Sequence, residues 1–131
     1  MQVKWKLLMI AVLGAMLGSG TPAGATDVTI HLNGTQPVTR QTVQYQCDAQ
    51  GVAMGLPANA FPVEYINGAG NSLAIVSVHG VSLIFANVSS ASGARYAAGQ
   101  YIWWDAAGSV NFYSDSLAGK TQSACHRVHA T

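Results

Sequence analysis

Apolar and polar residues alternate along much of the chain after residue 40. Val43, Tyr45 and Cys47 alternate with polar neighbours, and the same period recurs in Phe61–Tyr65 and Val110–Phe112. A period of two is typical of a β-strand with one buried face. No stretch combines the helical spacing of apolar residues with capping residues. The pattern therefore predicts an all-β domain.

The remaining apolar segments add strands to this domain. Ser72–His79 and Val81–Val88 meet at Gly80, which predicts a hairpin with a tight turn. Gln100–Asp105 is aromatic and is followed by a glycine-containing break. Turn residues recur at intervals of roughly 8–12 residues, the spacing of sandwiches and barrels. We expect seven or eight short strands, with Val28–Leu32 as a candidate first one.

The start of the chain has a different composition. Met1–Lys6 is basic, Leu7–Gly18 is a 12-residue apolar run, and the small residues Ala23-Gly24-Ala25 follow. This order predicts a secretory signal peptide over residues 1–25, which leaves a mature domain of residues 26–131. The apolar run is too short for a membrane anchor, because a spanning helix needs about 20 residues. No cysteine lies in or just after this segment to carry a lipid.

Charge and motifs exclude several classes of function. The chain has six Lys plus Arg and five Asp plus Glu, and loss of Lys4 and Lys6 leaves the mature domain almost neutral. A neutral domain lacks the positive surface that nucleic-acid binding requires. Gly-x-Ser-x-Gly, phosphate loops and His-Glu-x-x-His are absent, and the carboxylates form no paired pattern. We expect no catalytic residues, no cofactor and no nucleic-acid partner.

The two cysteines, Cys47 and Cys125, both lie in the mature domain. An even number of cysteines in an exported chain predicts one disulfide. The competing interpretation is a metal site in which His126 and His129 join Cys125. That grouping lacks the C-x-x-C spacing of a zinc site, so we expect no metal.

The most distinctive stretch is Ser90–Trp104, with the sequence SASGARYAAGQYIWW. It resembles the membrane-bound and periplasmic inhibitors of c-type lysozyme. Their shared motif is S-G-x-x-Y, followed by a glycine and an aromatic strand that ends in Trp. Here the motif is Ser92-Gly93-Ala94-Arg95-Tyr96, and the resemblance extends over Val43–Cys125. Because it has no cysteine for lipid attachment, the chain resembles the soluble periplasmic branch of this family.

The resemblance implies an eight-stranded antiparallel barrel with one disulfide, located in the periplasm, whose partner is a c-type lysozyme. It implies that a loop containing Ser92, Gly93, Arg95 and Tyr96 enters the lysozyme cleft, where the serine binds a catalytic carboxylate. Retaining glycosidases work through two carboxyl groups about 5 Å apart in a groove. Ionised carboxylates accept strong hydrogen bonds, so a rigid loop with a donor suits this target.

The motif residues also have structural interpretations. Ser92-Gly93 is a common turn pair, in which Gly93 supplies a positive φ. Tyr96 is expected to anchor the loop by its ring and hydroxyl. Arg95 is either a solvated charge or a second donor to a carboxylate. The next strand contains two consecutive tryptophans, so we expect one to face the core and one to face outward.

One position departs from the family pattern. Relatives carry a lysine two residues after the motif Trp, and that lysine also reaches the cleft. Here Trp104 is followed by Asp105 and Ala106, so the cationic contact is missing. We keep these three residues as a candidate second contact region, with weaker inhibition expected.

Two other functions compete with inhibition. A carbohydrate-binding barrel of the cell envelope would use exposed aromatic residues, namely Tyr101, Trp103, Trp104 and Tyr113. A hydrolase with a scattered site would show turnover that a carboxylate substitution abolishes. A cell-wall lysis assay with c-type lysozyme separates inhibition from both.

Overall fold

The computed structural model describes residues 24–117 and 121–129. The predicted signal peptide lies, apart from its last two residues, outside the described residues. The described residues divide into two units after His31, and residues 24–31 contain neither helix nor strand. Val28 and Ile30 are exposed, so the strand expected over Val28–Leu32 is not formed.

The second unit contains eight antiparallel strands that close into a barrel in chain order. This confirms the all-β fold and the eight-stranded barrel. Val78 pairs with Val81, which confirms the predicted hairpin around Gly80. The strands are β1 (Thr39–Cys47), β2 (Phe61–Gly68), β3 (Asn71–Val78), β4 (Val81–Val88), β5 (Ala94–Ala98), β6 (Tyr101–Ala106), β7 (Ser109–Ser114) and β8 (Gln122–Arg127).

The barrel closes where β1 pairs with β8. Cys47 lies directly opposite Cys125 in this pairing, and the two form a disulfide, as predicted. The bond joins residues 78 positions apart in the sequence. It therefore fixes the one junction between strands that are distant in the sequence.

The core consists of the inward-facing residues of the alternating strands. Tyr45, Val63, Phe85, Trp103 and Phe112 are fully buried, each on a different strand. The Trp103 ring meets the rings of Tyr45 and Phe112 at centroid distances of 5.1 and 6.3 Å. Aromatic side chains bury large apolar areas and favour such tilted contacts. The expected division of the two tryptophans is confirmed, since Trp103 faces inward and Trp104 is only half-buried.

A short helix, α1 (Ala49–Ala53), was not predicted. The Asp48 side chain caps it by accepting from the Gly51 N–H at 3.1 Å, and it also accepts from the Ser123 hydroxyl at 2.8 Å. Although partial desolvation acts in the opposite direction, hydrogen bonds from Ala124, Ser123 and Gly51 lower the pKa of Asp48. No helix in the described part of the chain is long and apolar enough to cross a membrane.

The antiparallel order places the loops at two ends of the barrel. We call one the motif end; it carries the turn Ala69–Gly70, the segment Ser89–Gly93, the turn Ala107–Gly108 and the last residue of β8. The opposite end carries α1 and the turns His79–Gly80 and Gly99–Gln100. The two predicted contact regions therefore lie at the same end.

Candidate functional site

The segment Ser89–Gly93 connects β4 to β5 and is exposed. Gly93 has φ of 66°, in the left-handed region that favours glycine. A Cβ at Gly93 would also clash with the Asp105 carbonyl oxygen and touch Ala106. The Ser90 hydroxyl donates to the Gly93 carbonyl at 3.0 Å. The predicted turn at Ser92-Gly93 is thus confirmed, and it packs directly against β6.

Trp104 connects this turn to the barrel wall. Its indole N–H donates to the Ser92 carbonyl at 2.9 Å. Trp104 lies opposite Arg95 in the pairing of β5 with β6. The Arg95 guanidinium carbon lies 5.9 Å from the centre of the indole, and its Nη2 is 3.3 Å from the Tyr113 hydroxyl. Arg95 therefore lies along the outer wall, in a cation–π contact.

Tyr96 is part of the core. It is 5 % exposed, and its ring centre lies 5.8 Å from that of Tyr65. Its hydroxyl is 3.4 Å from the Ser72 hydroxyl, and Ser72 in turn donates to Asn67. Tyr96 thus anchors the strand that follows the loop, in agreement with the structural interpretation of this residue.

Asp105 points into the mouth of the barrel. Its carboxylate accepts from the Tyr45 hydroxyl at 3.4 Å and forms an ion pair with Arg127 at 3.2 Å. The side chain is only 16 % exposed, against 49 % for Arg127. The negative charge of Asp105 is therefore neutralised within the chain. Ala106 is the last residue of strand β6.

A buried hydrogen-bonded chain extends below this ion pair. The Tyr45 and Tyr65 hydroxyls are 2.9 Å apart, and the Trp103 indole donates to Tyr65 at 3.0 Å. Burial raises the pKa of both tyrosine hydroxyls, so both stay neutral over the physiological range. Sequence reasoning missed Arg127 and this network, although the alternation around Tyr45 and Tyr65 places both residues inside the barrel.

The site contains donors and aromatic surface but no arrangement suited to metal chemistry. In residues 24–117 and 121–129, no three His, Cys, Asp or Glu side chains lie close enough to hold a metal ion. An open hollow of about 400 Å³ lies towards the opposite end and is lined by Leu83, Ile84, Ala98, Gly99, Gln100 and Tyr101. Its lining includes no residue of the segment Ser89–Gly93. Trp103 and Tyr113 are buried, which removes two of the aromatic residues that a glycan-binding surface would use.

Comparison with known proteins gives concordant results. A family model described as membrane-bound lysozyme-inhibitor of c-type lysozyme matches residues 45–116. A Pseudomonas aeruginosa protein named membrane-bound lysozyme inhibitor of C-type lysozyme is 38 % identical over 120 residues, 88 % of each chain. A protein of the same name from Cupriavidus necator is 36 % identical over 64 residues, 49 % of this chain and 45 % of the relative.

A solved structure agrees with these matches. The crystal structure of Pseudomonas aeruginosa MliC in complex with hen egg white lysozyme is similar to this fold, with a TM-score of 0.63 and 36 % sequence identity. The match covers 80 % of this chain and 99 % of the MliC chain. Both named relatives are inhibitors rather than enzymes. The family model spans more than half of the chain and the relative from Pseudomonas aeruginosa spans most of it, so this chain belongs to the family of membrane-bound inhibitors of c-type lysozyme.

Proposed function

We propose that this chain inhibits c-type lysozyme by placing the segment Ser89–Gly93 in the catalytic groove. The observation that carries the proposal is an exposed Ser92 on a tightly held turn, in a chain that belongs to this inhibitor family. A retaining glycosidase needs two accessible carboxyl groups in its groove. The Ser92 hydroxyl donates to one of them and the loop backbone excludes the sugar.

The shape of the loop favours tight binding. Gly93 fits only as glycine, the Ser90 hydroxyl closes the turn, and Trp104 holds the Ser92 carbonyl. A loop that is already ordered loses less conformational entropy when it binds. The inhibitor therefore needs no rearrangement of this segment before it meets lysozyme.

The cationic contact is weaker than in relatives that carry the lysine. Ala106 offers no donor, and the Arg95 guanidinium already lies over the Trp104 ring beside Tyr113. Arg95 replaces the missing lysine contact only if its side chain moves away from Trp104 and Tyr113. That movement would lose the cation–π contact and the hydrogen bond that it makes now. We therefore propose that Ser92 supplies the main polar contact and that Arg95 supplies a minor one.

We also propose that the chain acts in the periplasm after its signal peptide, residues 1–25, is removed. The names of the relatives place them at a membrane, which supports a position in the cell envelope. Export and cleavage are tested by fractionation of cells that express the full chain, followed by mass measurement of the product. A product in the cytoplasm that retains Met1–Lys6 would contradict this part of the proposal.

Inhibition is tested with the purified mature protein, hen egg white lysozyme and a bacterial cell-wall suspension. We expect the lysis rate to fall as inhibitor is added, with a stoichiometric complex in titration calorimetry. A lysozyme of an unrelated structural type serves as the control target and should remain active. Unchanged lysis, together with no heat of binding from a folded protein, would reject the proposal.

A further inference from the structure

The Ser92 carbonyl is held by the indole of a residue on another strand. Ser92 lies outside the ladders, one residue before the glycine that leads into β5. Trp104 lies in β6, twelve residues later, and donates its indole N–H to this carbonyl at 2.9 Å. The hydrogen bond leaves the hydroxyl of the exposed Ser92 free to face a partner.

The indole itself is held in a fixed orientation. Trp104 is half-buried and lies opposite Arg95 in the strand pairing, and the guanidinium covers the ring at 5.9 Å. Arg95 is placed by the Tyr113 hydroxyl, 3.3 Å from its Nη2. A cation over one face of the ring favours this orientation of the indole. In this orientation the N–H points at the turn.

The other contacts of the turn act on its ends. The Ser90 hydroxyl reaches the Gly93 carbonyl, and Gly93 packs on the Asp105 carbonyl. These contacts set where the segment begins and returns to the barrel. Ser92 lies between these fixed residues, and its own carbonyl is held by the hydrogen bond from Trp104.

We infer that Trp104 is a positioning residue of the inhibitory loop, which acts through Ser92 rather than by contact with lysozyme. The inference rests on the proposed function, and it changes the role of Trp104 from a second contact to a support of the first. The cation–π contact with Arg95 supports this role, because it favours the orientation of the ring that holds the turn. A loop with this hydrogen bond is ordered before binding, and a loop without it must be ordered during binding.

The test compares Trp104→Phe with the parent. Phenylalanine keeps an aromatic ring on β6 and removes the N–H. Tyr101→Phe is the matched control, since it changes an aromatic residue of the same strand at the opposite end. We expect Trp104→Phe to weaken hen lysozyme binding about fivefold, the size of one hydrogen bond, and to speed amide exchange in residues 89–93. Tyr101→Phe should change neither.

A double-mutant cycle with Ser92→Ala separates positioning from direct contact. Ser92→Ala removes the hydroxyl but keeps the carbonyl that Trp104 holds. If Trp104 aims the Ser92 hydroxyl, then Trp104→Phe should cost less in the Ser92→Ala background than in the parent. Additive losses with unchanged amide exchange in residues 89–93 would show that Trp104 touches lysozyme itself and would overturn the inference. Parent-like binding and exchange in a folded Trp104→Phe variant would also overturn it.

Two further measurements keep the result interpretable. Replacement of Trp104 by benzothienylalanine retains the bicyclic ring and removes only the N–H, so it replaces Trp104→Phe if that variant fails to fold. If the folded parent does not bind lysozyme, the proposed function is rejected. Amide exchange in residues 89–93 then decides by itself whether Trp104 orders the loop.

Discussion

The two ends of the barrel are stabilised by different kinds of contact, although the same strands connect them. At the motif end, short connections are held by side-chain hydrogen bonds and by the Asp105–Arg127 ion pair. At the opposite end, α1 covers the core with buried Gly51 and neighbouring apolar residues. The motif end has ordered polar groups that a partner can contact, while the opposite end closes the core.

The β4 strand shows the contrast within one element. Its last residues, Ala86–Val88, pair with β5 and lead into the motif. Its first residues extend beyond that pairing, and Val81 and Ile84 are 58 % and 49 % exposed. Pairing with β5 is thus confined to the end of β4 that leads into the motif, and the exposed apolar residues lie at the other end, where β4 pairs with β3 alone.

Breaking the disulfide should have the largest effect, because it opens the closure that both ends share. The Cys47→Ala, Cys125→Ala double variant should lose about 4–5 kcal/mol of unfolding free energy by the chain-entropy model. The measurement is denaturant unfolding of parent and variant under non-reducing conditions. Stability within about 1 kcal/mol of the parent would contradict this estimate.

Ser92→Asp should separate the two ends in binding. The new carboxylate would face the carboxylates of lysozyme, and like charges in a desolvated contact cost several kcal/mol. Ser82→Asp, an exposed serine near the opposite end of β4, is the matched control and should bind as the parent does. Calorimetric titration against hen lysozyme measures both. Equal affinities for the two folded variants would show that the motif end is not the contact surface.

Alanine substitutions at two glycines with positive φ separate the cost of backbone strain from the cost of a steric clash. Gly80→Ala, at φ of 74° with open space around the position, should cost about 1 kcal/mol of stability. Gly93→Ala meets the β6 backbone as well, so we expect about 2–4 kcal/mol and weaker lysozyme binding. Thermal unfolding and titration of both variants provide the comparison. Similar losses in the two would mean that β6 yields easily at Gly93.

Ala106→Lys should increase the affinity of the motif end for lysozyme. Restoring the cation should lower the dissociation constant about tenfold, equivalent to 1.4 kcal/mol. A second variant that also deletes Ala107 would bring the new lysine directly before Gly108, but Ala107–Gly108 is a two-residue turn with positive φ at both positions. The deletion would disrupt this turn, so we expect the gain from the single substitution. Unimproved binding in both would show that the lysine's role does not transfer to this loop.

Acid should loosen the opposite end of the barrel through Asp48. The folded pKa of Asp48 is lowered, so its contribution to stability is present above its ordinary value of 3.8 and is lost as the pH falls through the folded pKa. We expect a small drop in Tm at low pH that Asp48→Asn lacks, measured by thermal unfolding between pH 6 and 2. Parallel profiles for the two proteins would exclude Asp48 as the cause.

Local sequence patterns predicted the strands but not every element. Alternation located β1, β2 and β7, because a half-buried strand imposes a period of two, and two apolar segments that meet at Gly80 located the β3–β4 hairpin. The candidate strand Val28–Leu32 was wrong, since a strand also needs a neighbour that no single segment reveals. The helix α1 was missed because five residues are too few for a helical period, although Asp48 is a typical capping residue.

The local structure of the motif was predicted from the sequence, but the partners of its neighbouring side chains were not. The S-G-x-x-Y pattern placed Ser92, Gly93 and Tyr96, whose environments follow from local turn chemistry and strand alternation. The partners of Arg95 and Asp105 lie 18 and 22 positions away, at Tyr113 and Arg127. Such contacts depend on the strand register and on the closure of the barrel, and neither can be predicted from local sequence patterns.

The order of the strands has a consequence for how the protein matures. Seven of the eight ladders join consecutive strands, and only β1 with β8 brings distant parts of the domain together. Hairpins form in microseconds, whereas contacts between distant segments wait for a larger loss of chain entropy. Cys47 and Cys125 are partners in that last ladder. We therefore expect their oxidation to follow barrel closure, so that the disulfide forms at the end of folding.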